Sequence, residues 1–177
     1  MKLGSWLAAG MMSPRLYHAT HADFDKFRLG ASASGANAGG KGERAVFLTS
    51  SPEVADTYLG GNWVDMNSPK IGVGDAAPMP NNPGVGRHYA EGANVRPVVV
   101  NDYDDFDIWD MGGGGYRPEH IKQAIKEARQ AKAPGVIFQN MRDPGIMGLG
   151  QGKPSDVVAV LNPKLIDSAY AAQRAKK

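Results

Sequence analysis

Few side chains in this 177-residue chain could do chemistry, because it holds four histidines and no cysteine. Thiolate nucleophiles, disulfides, Cys-ligated zinc and iron–sulfur clusters are therefore excluded. His18, within the segment LYHAT, sits where a strand is expected, and an imidazole there can serve as hydrogen-bond partner, base or ligand. Tyr58 lies on an expected helix, and Asp156 is the carboxylate at the head of a late expected strand. Other arrangements fail on spacing. Residues 148–155, GLGQGKPS, lack the Walker pattern, with Met147 where its first glycine belongs and Pro154 where Ser or Thr should follow the lysine. Asp102, Asp104 and Asp107 invite a calcium loop, but Asp107 takes the place of the required glycine and Gly113 that of the closing glutamate. His18 and His21 stand three apart without HExxH, so a metal is not expected.

The elements that must position these residues can be read from pattern. Residues 15–20 form a strand with Leu16 and His18 on one face and Tyr17 and Ala19 on the other. Phe24 and Phe27 are spaced for one helical turn tucked onto the core. A buried strand is expected at 45–49, followed by a helix that Ser51 caps, Pro52 and Glu53 open and Gly60 closes after about Leu59. The positions Val54, Ala55, Tyr58 and Leu59 place Tyr58 on the core side. A strand at 95–100 contains Pro97, which hints at an edge or bulge. The clearest helix spans 118–131, where Ile121, Ala124, Ile125 and Ala128 make one apolar stripe. Strands at 136–139 and 157–161 and a short helical tail from Pro163 complete a mixed α+β order.

With 42% hydrophobic and 21% charged residues, the chain fits one domain with a substantial core. Residues 1–14 read as an extension, 15–170 as the domain, and 171–177 as a basic tail. Within the domain, 30–42 is a Gly-rich loop, and 62–94 is an insertion of Pro, Gly and Asn with little periodicity. The net charge of +2 belongs to that tail, since the body without it is slightly acidic; a nucleic-acid partner is therefore not expected. No apolar run is long enough to cross a membrane, and the opening residues make a short, glycine-broken match to a secretion signal, so a cytoplasmic protein is expected.

In order along the chain, LYHAT, AVFLTSSPEVADTY, VRPVVV, PGVIFQN and SDVVAVLNPKLIDSA resemble segments of the ADP-ribosyltransferases, on the diphtheria-toxin and poly(ADP-ribose) polymerase side and in the small phage-associated transferase domains. The resemblance covers most of residues 15–169, and its first two segments are the specific ones. It implies two packed, bent antiparallel sheets with flanking helices and NAD in a cleft between them. The implied reaction is mono-ADP-ribosylation, in which the nicotinamide–ribose bond breaks and ADP-ribose passes to a macromolecule, a protein being the expected acceptor. The enzyme would act in the cytoplasm or after delivery into a target cell.

By the same resemblance, His18 binds a ribose hydroxyl, the backbone of Ala19 pairs with the nicotinamide carboxamide, and Tyr58 stacks on the nicotinamide ring. Phe47 stands where the family usually has tyrosine, keeping the ring face without the hydroxyl. Tyr17, Thr20 and Thr49 would line the NAD site, and Lys41 or Arg44 would meet its phosphates. Asp156 takes the part of the family glutamate at the last strand, one residue off its register and hence on the opposite face unless a bulge re-aims it. The alternatives are a non-catalytic NAD-binding or phage-associated interaction module that lost the acid, and an NAD glycohydrolase that uses water as acceptor.

Overall fold

The computed structural model describes residues 13–20, 24–29, 44–59, 63–65, 77–79, 82–87, 94–115, 117–143 and 154–169. Ten strands and two α-helices are present among them. They are β1 (Leu16–Thr20), β2 (Val46–Thr49), α1 (Pro52–Thr57), β3 (Trp63–Asp65), β4 (Ala77–Met79), β5 (Asn82–Arg87), β6 (Asn94–Val100), β7 (Asp107–Asp110), α2 (Pro118–Ala131), β8 (Gly135–Met141), β9 (Ser155–Val160) and β10 (Ile166–Ser168). Seven of the strands make one sheet in the order β10-β6-β1-β2-β9-β8-β7, and β3-β5-β4 make a separate small one.

The chain is thus α+β, but the expectation of two packed antiparallel sheets is corrected. β2 pairs with β1 on one side and with β9 on the other, which joins what would have been two half-sheets into one. The sheet is also mixed, because β7 and β8 run parallel. α2 links them, and a helical crossover is the connection that parallel neighbours need. The join at the centre is slender: β1 and β2 share the single register pair Tyr17↔Thr49, whereas β1 and β6 share five from Leu16↔Val98 to Thr20↔Asn94.

Paired residues point to the same side, so this register separates two faces. On one, Leu16, Val46, Leu48, Val98, Val100, Ile137, Val158, Val160 and Ile166 form a continuous core with Phe106. Phe27, Leu29, Tyr103 and Leu165 pack over it. On the other, Val136, Phe138, Val157 and Ala159 meet Ile121, Ala124, Ile125 and Ala128 of α2. That helix has the bounds and buried stripe expected from its period, and its two buried isoleucines contribute about 1.5–3 kcal/mol each.

Several local expectations change. Phe24 to Leu29 holds no helical turn but a bend at Asp25 and Lys26, although Phe27 does tuck onto the core. α1 ends at Thr57 with Tyr58 as its C-cap, and the tyrosine there is 38% exposed instead of buried in the core. Its start is as read: the Ser51 side chain accepts from Val54 N–H at 3.1 Å. The tail from Pro163 is a 3-10 turn, Pro163–Leu165, leading into β10. Pro97 lies inside β6, but β10 reaches only as far as Val98, so the proline's missing N–H falls beside an unpaired flank. The 62–94 insertion carries β3, β4 and β5, which its weak periodicity did not announce.

Candidate functional site

The register places His18 and Arg96 directly opposite each other on β1 and β6. Both share the face of Leu16 and Val98, where loops instead of α2 provide the cover. His18 Nδ1 lies 3.1 Å from the carbonyl oxygen of Phe47, just beyond the one pair that holds β1 to β2. A carbonyl can only accept, so Nδ1 carries the proton, and in the neutral ring Nε2 is left as an acceptor. Burial pushes the imidazole pKa below 6.5; the Phe47 bond opposes this, and the nearby Arg96 charge reinforces it.

Two phenylalanines wall the ring. His18 meets Phe27 edge-on at 5.1 Å between centroids and Phe24 at 6.4 Å, and the two phenylalanines meet each other at 4.9 Å. Arg96 fixes this segment: its Nη1 donates to Phe24 O at 2.7 Å, and the guanidinium lies 4.5 Å from the Phe24 ring centroid.

Asp156 stands on the same face. Its backbone is tied to the residue after β2, Ser50 N–H donating to Asp156 O and Asp156 N–H to Ser50 Oγ, each at 2.9 Å. Strand alternation from Thr49↔Val157 then puts Asp156 on the side of Leu48, Val158 and His18. With β2 between them and one side-chain repeat of offset, the His18 and Asp156 Cα atoms are about 12 Å apart, from strand spacing and rise. The Asp156 carboxylate accepts from Asn140 N–H at 3.2 Å. Asn140 makes this reach from a left-handed conformation, φ 55°, within the register shift that interrupts the β8–β9 ladder. The bulge thus lies on the neighbouring strand, not on Asp156's own. Tyr103, over the same face, has its pKa raised to about 12 by burial and by the negative charge of Asp156.

The other expected residues fall elsewhere. The Phe47 ring packs with the α2 cluster, on the far side of the sheet from the imidazole, so β2 offers His18 a carbonyl and not an aromatic face. Tyr17 and Thr49, paired together, share that far side. Ala19 and Thr20 continue β1 opposite Val95 and Asn94. Arg44 is exposed, and its carbonyl accepts from Arg129. Tyr58 donates its hydroxyl to Asp143 Oδ1 at 2.7 Å. Lys41 and the 30–42 loop lie outside the described residues. Ser155 Oγ, at the head of β9, is buried with no hydrogen-bond partner among the described residues.

Sequence reading did not single out Arg96, Asn140 or Tyr103 for this site, and it gave Phe24 and Phe27 only a packing role. Arg96 had a signal, since it shares the inward parity of Val98 and Val100, where a charge is out of place unless something is to be held. Among the described residues no three His, Asp or Glu side chains gather as a metal site, and no helix is long and apolar enough to cross a membrane. Compared with protein-family profiles, with curated proteins and with solved structures, the chain matches none.

Proposed function

We propose that this chain is an NAD-consuming mono-ADP-ribosyltransferase, in which His18 receives a ribose hydroxyl and Asp156 is the carboxylate that favours the transition state. The observation that carries the reading is the fixed tautomer of His18: with Nδ1 donating to Phe47 O, Nε2 is an acceptor suited to a sugar hydroxyl. Asp156 supports the reading in lying on the same sheet face as His18.

In the proposed reaction the bond between ribose C1′ and the nicotinamide nitrogen breaks, and nicotinamide leaves with the bonding pair. C1′ then bonds to an acceptor nucleophile, whose proton passes to a base. Positive charge builds on the ribose between these events, and a carboxylate fixed in advance lowers the energy of that state more than it lowers that of bound NAD. The Asn140 N–H holds the carboxylate in place. Tyr103, with its pKa near 12, stays neutral beside it and does not compete for the developing charge.

The test is to incubate the purified protein with NAD, first alone and then with cell lysate, following free nicotinamide and labelled ADP-ribose. Nicotinamide release with label on a macromolecule is the expected result. Release without label would replace the transferase with a glycohydrolase, and an NAD-induced rise in melting temperature without release would leave a binding module. The absence of both nicotinamide release and a thermal shift would refute the NAD reading altogether.

A further inference from the structure

β7 ends the large sheet on the side away from β10, and among the described residues no strand pairs with its outer edge. Its inner edge is fixed by the ladder to β8, at the end of which Met111 N–H donates to Gln139 O at 2.9 Å. Bonding residues alternate along a parallel ladder, so Trp109 also turns its N–H and C=O towards β8, whereas those of Ile108 and Asp110 point outward. Ile108 is in addition 60% exposed. The charge around it is unbalanced. Asp102, Asp104 and Asp105 belong to the 3-10 turn that precedes β7, Asp107 and Asp110 bound the strand, and among the described residues none of these carboxylates forms an ion pair. Charge on an edge strand keeps like-charged strands from pairing with it, but that protection needs no exposed isoleucine and does not repel a strand of opposite charge.

We propose that the outer edge of β7 is a docking site for an extended basic segment of a partner protein, which adds to the sheet as a further strand. The order Asp107, Ile108, Trp109, Asp110 runs acidic, apolar, apolar, acidic, and is the same from either end. A strand laid beside it in either direction is therefore matched when two apolar residues are flanked by a cationic residue on each side. The outward N–H and C=O groups of Ile108 and Asp110 supply main-chain hydrogen bonds, Ile108 supplies apolar contact, and the two aspartates select for positive charge. The aspartates of the turn lie beyond the N-terminal end of β7, so further cations at one end of the segment set its direction. A second copy of β7 is a poor occupant, because antiparallel pairing would set aspartate against aspartate. The site makes no use of NAD and stands or falls apart from the transferase reading.

The experiment uses the full chain and a labelled synthetic peptide with the core Lys-Val-Val-Lys, its binding followed by fluorescence anisotropy. Three further peptides are compared: Val-Lys-Lys-Val, with the same composition and charge; Glu-Val-Val-Glu; and Lys-Val-Val-Lys with alternate backbone nitrogens methylated. The first peptide should bind at least ~10-fold more tightly than each of the others. Asp107→Asn should weaken it roughly 2–5-fold, as one cross-strand charge pair allows. Ile108→Pro removes an outward N–H without touching the β8 ladder and should abolish binding, with circular dichroism confirming the fold; the methylated peptide makes the same test without altering the protein. In amide hydrogen exchange, Trp109 and Met111 should be slow throughout, whereas Ile108 and Asp110 should become slow only with the peptide bound. Equal affinity for the two lysine patterns or for the methylated peptide would reduce the contact to charge attraction and overturn strand addition. No binding of any peptide would overturn the site. Concentration-dependent self-association of the parent, with Ile108 and Asp110 amides already slow, would overturn the foreign partner in favour of a second copy.

Discussion

Replacing Gly135 by alanine tests how tightly the sheet closes around its core. A Cβ built on Gly135 would lie 2.5 Å from the carbonyl oxygen of Ala159 and 2.6 Å from Cδ1 of Phe106, closer than real Cβ contacts run. The two obstacles differ in kind. Phe106 is 5% exposed and belongs to the core on the His18 face, so moving its ring is an overpacking problem worth about 1–3 kcal/mol. The Ala159 carbonyl belongs to β9, which pairs with β8 from Gly135↔Val160 onward, so displacing it loosens the ladder and costs about 0.5–1.5 kcal/mol for one hydrogen bond. Together they give about 2–4 kcal/mol, or about 5–15 °C in melting temperature for a domain of this size. Urea unfolding followed by circular dichroism measures the loss. Phe106→Leu should remove the ring obstacle, so Gly135→Ala should cost about half as much in that background. A Gly135→Ala protein within about 0.5 kcal/mol of the parent would refute the close approach of β8, β9 and Phe106.

Other expectations follow from individual groups. His18 has its folded-state pKa below 6.5, so the unfolded chain takes up its proton first and stability should fall as pH drops from about 6.5 through the lowered folded value. His18→Gln should flatten that part of the profile, and a slope unchanged by the substitution would contradict the buried neutral ring. Tyr103 behaves oppositely: its folded pKa is raised to about 12, so stability should decline as pH rises from 10 towards 12, and Tyr103→Phe should abolish that decline in alkaline unfolding curves. Asp156→Asn should lower the rate of nicotinamide release by at least ~10-fold with little change in NAD affinity, if the carboxylate acts in the transition state; an equal rate would remove Asp156 from the reaction. Ser51→Ala should cost about 1 kcal/mol in thermal unfolding through loss of the α1 cap, and no loss would show that Pro52 suffices to start the helix.

What was legible in the sequence followed the range of the interactions involved. α2 was readable to its last residue because a 3.6-residue stripe and a proline start are local signals. The α1 start was readable for the same reason, but the side that Tyr58 faces was not, because that depends on Asp143, 85 residues away. β7 hid within an acidic run, where Ile108 and Trp109 are flanked by Asp107 and Asp110 and no apolar alternation develops. The merging of two half-sheets depends on β2 pairing on both sides, a choice that strand composition does not encode. At the site, His18 and the strand face it occupies were read from alternation. Its neighbours were not: Phe47 was expected to offer a ring and offers its carbonyl, while Arg96 reaches the imidazole through a pairing made across the whole insertion.

That last circumstance bears on the order in which the protein takes shape. β7, α2 and β8 are consecutive along the chain, so their contacts close short loops and can form early. β1 is different, because it waits in the middle of the sheet for β2 from one direction and for β6 from much further along the sequence. His18 obtains its carbonyl partner and its guanidinium neighbour only when these distant segments arrive. The imidazole thus reaches its native surroundings only once both pairings have formed, and its titration in a refolding time course would report the assembly of the centre of the sheet.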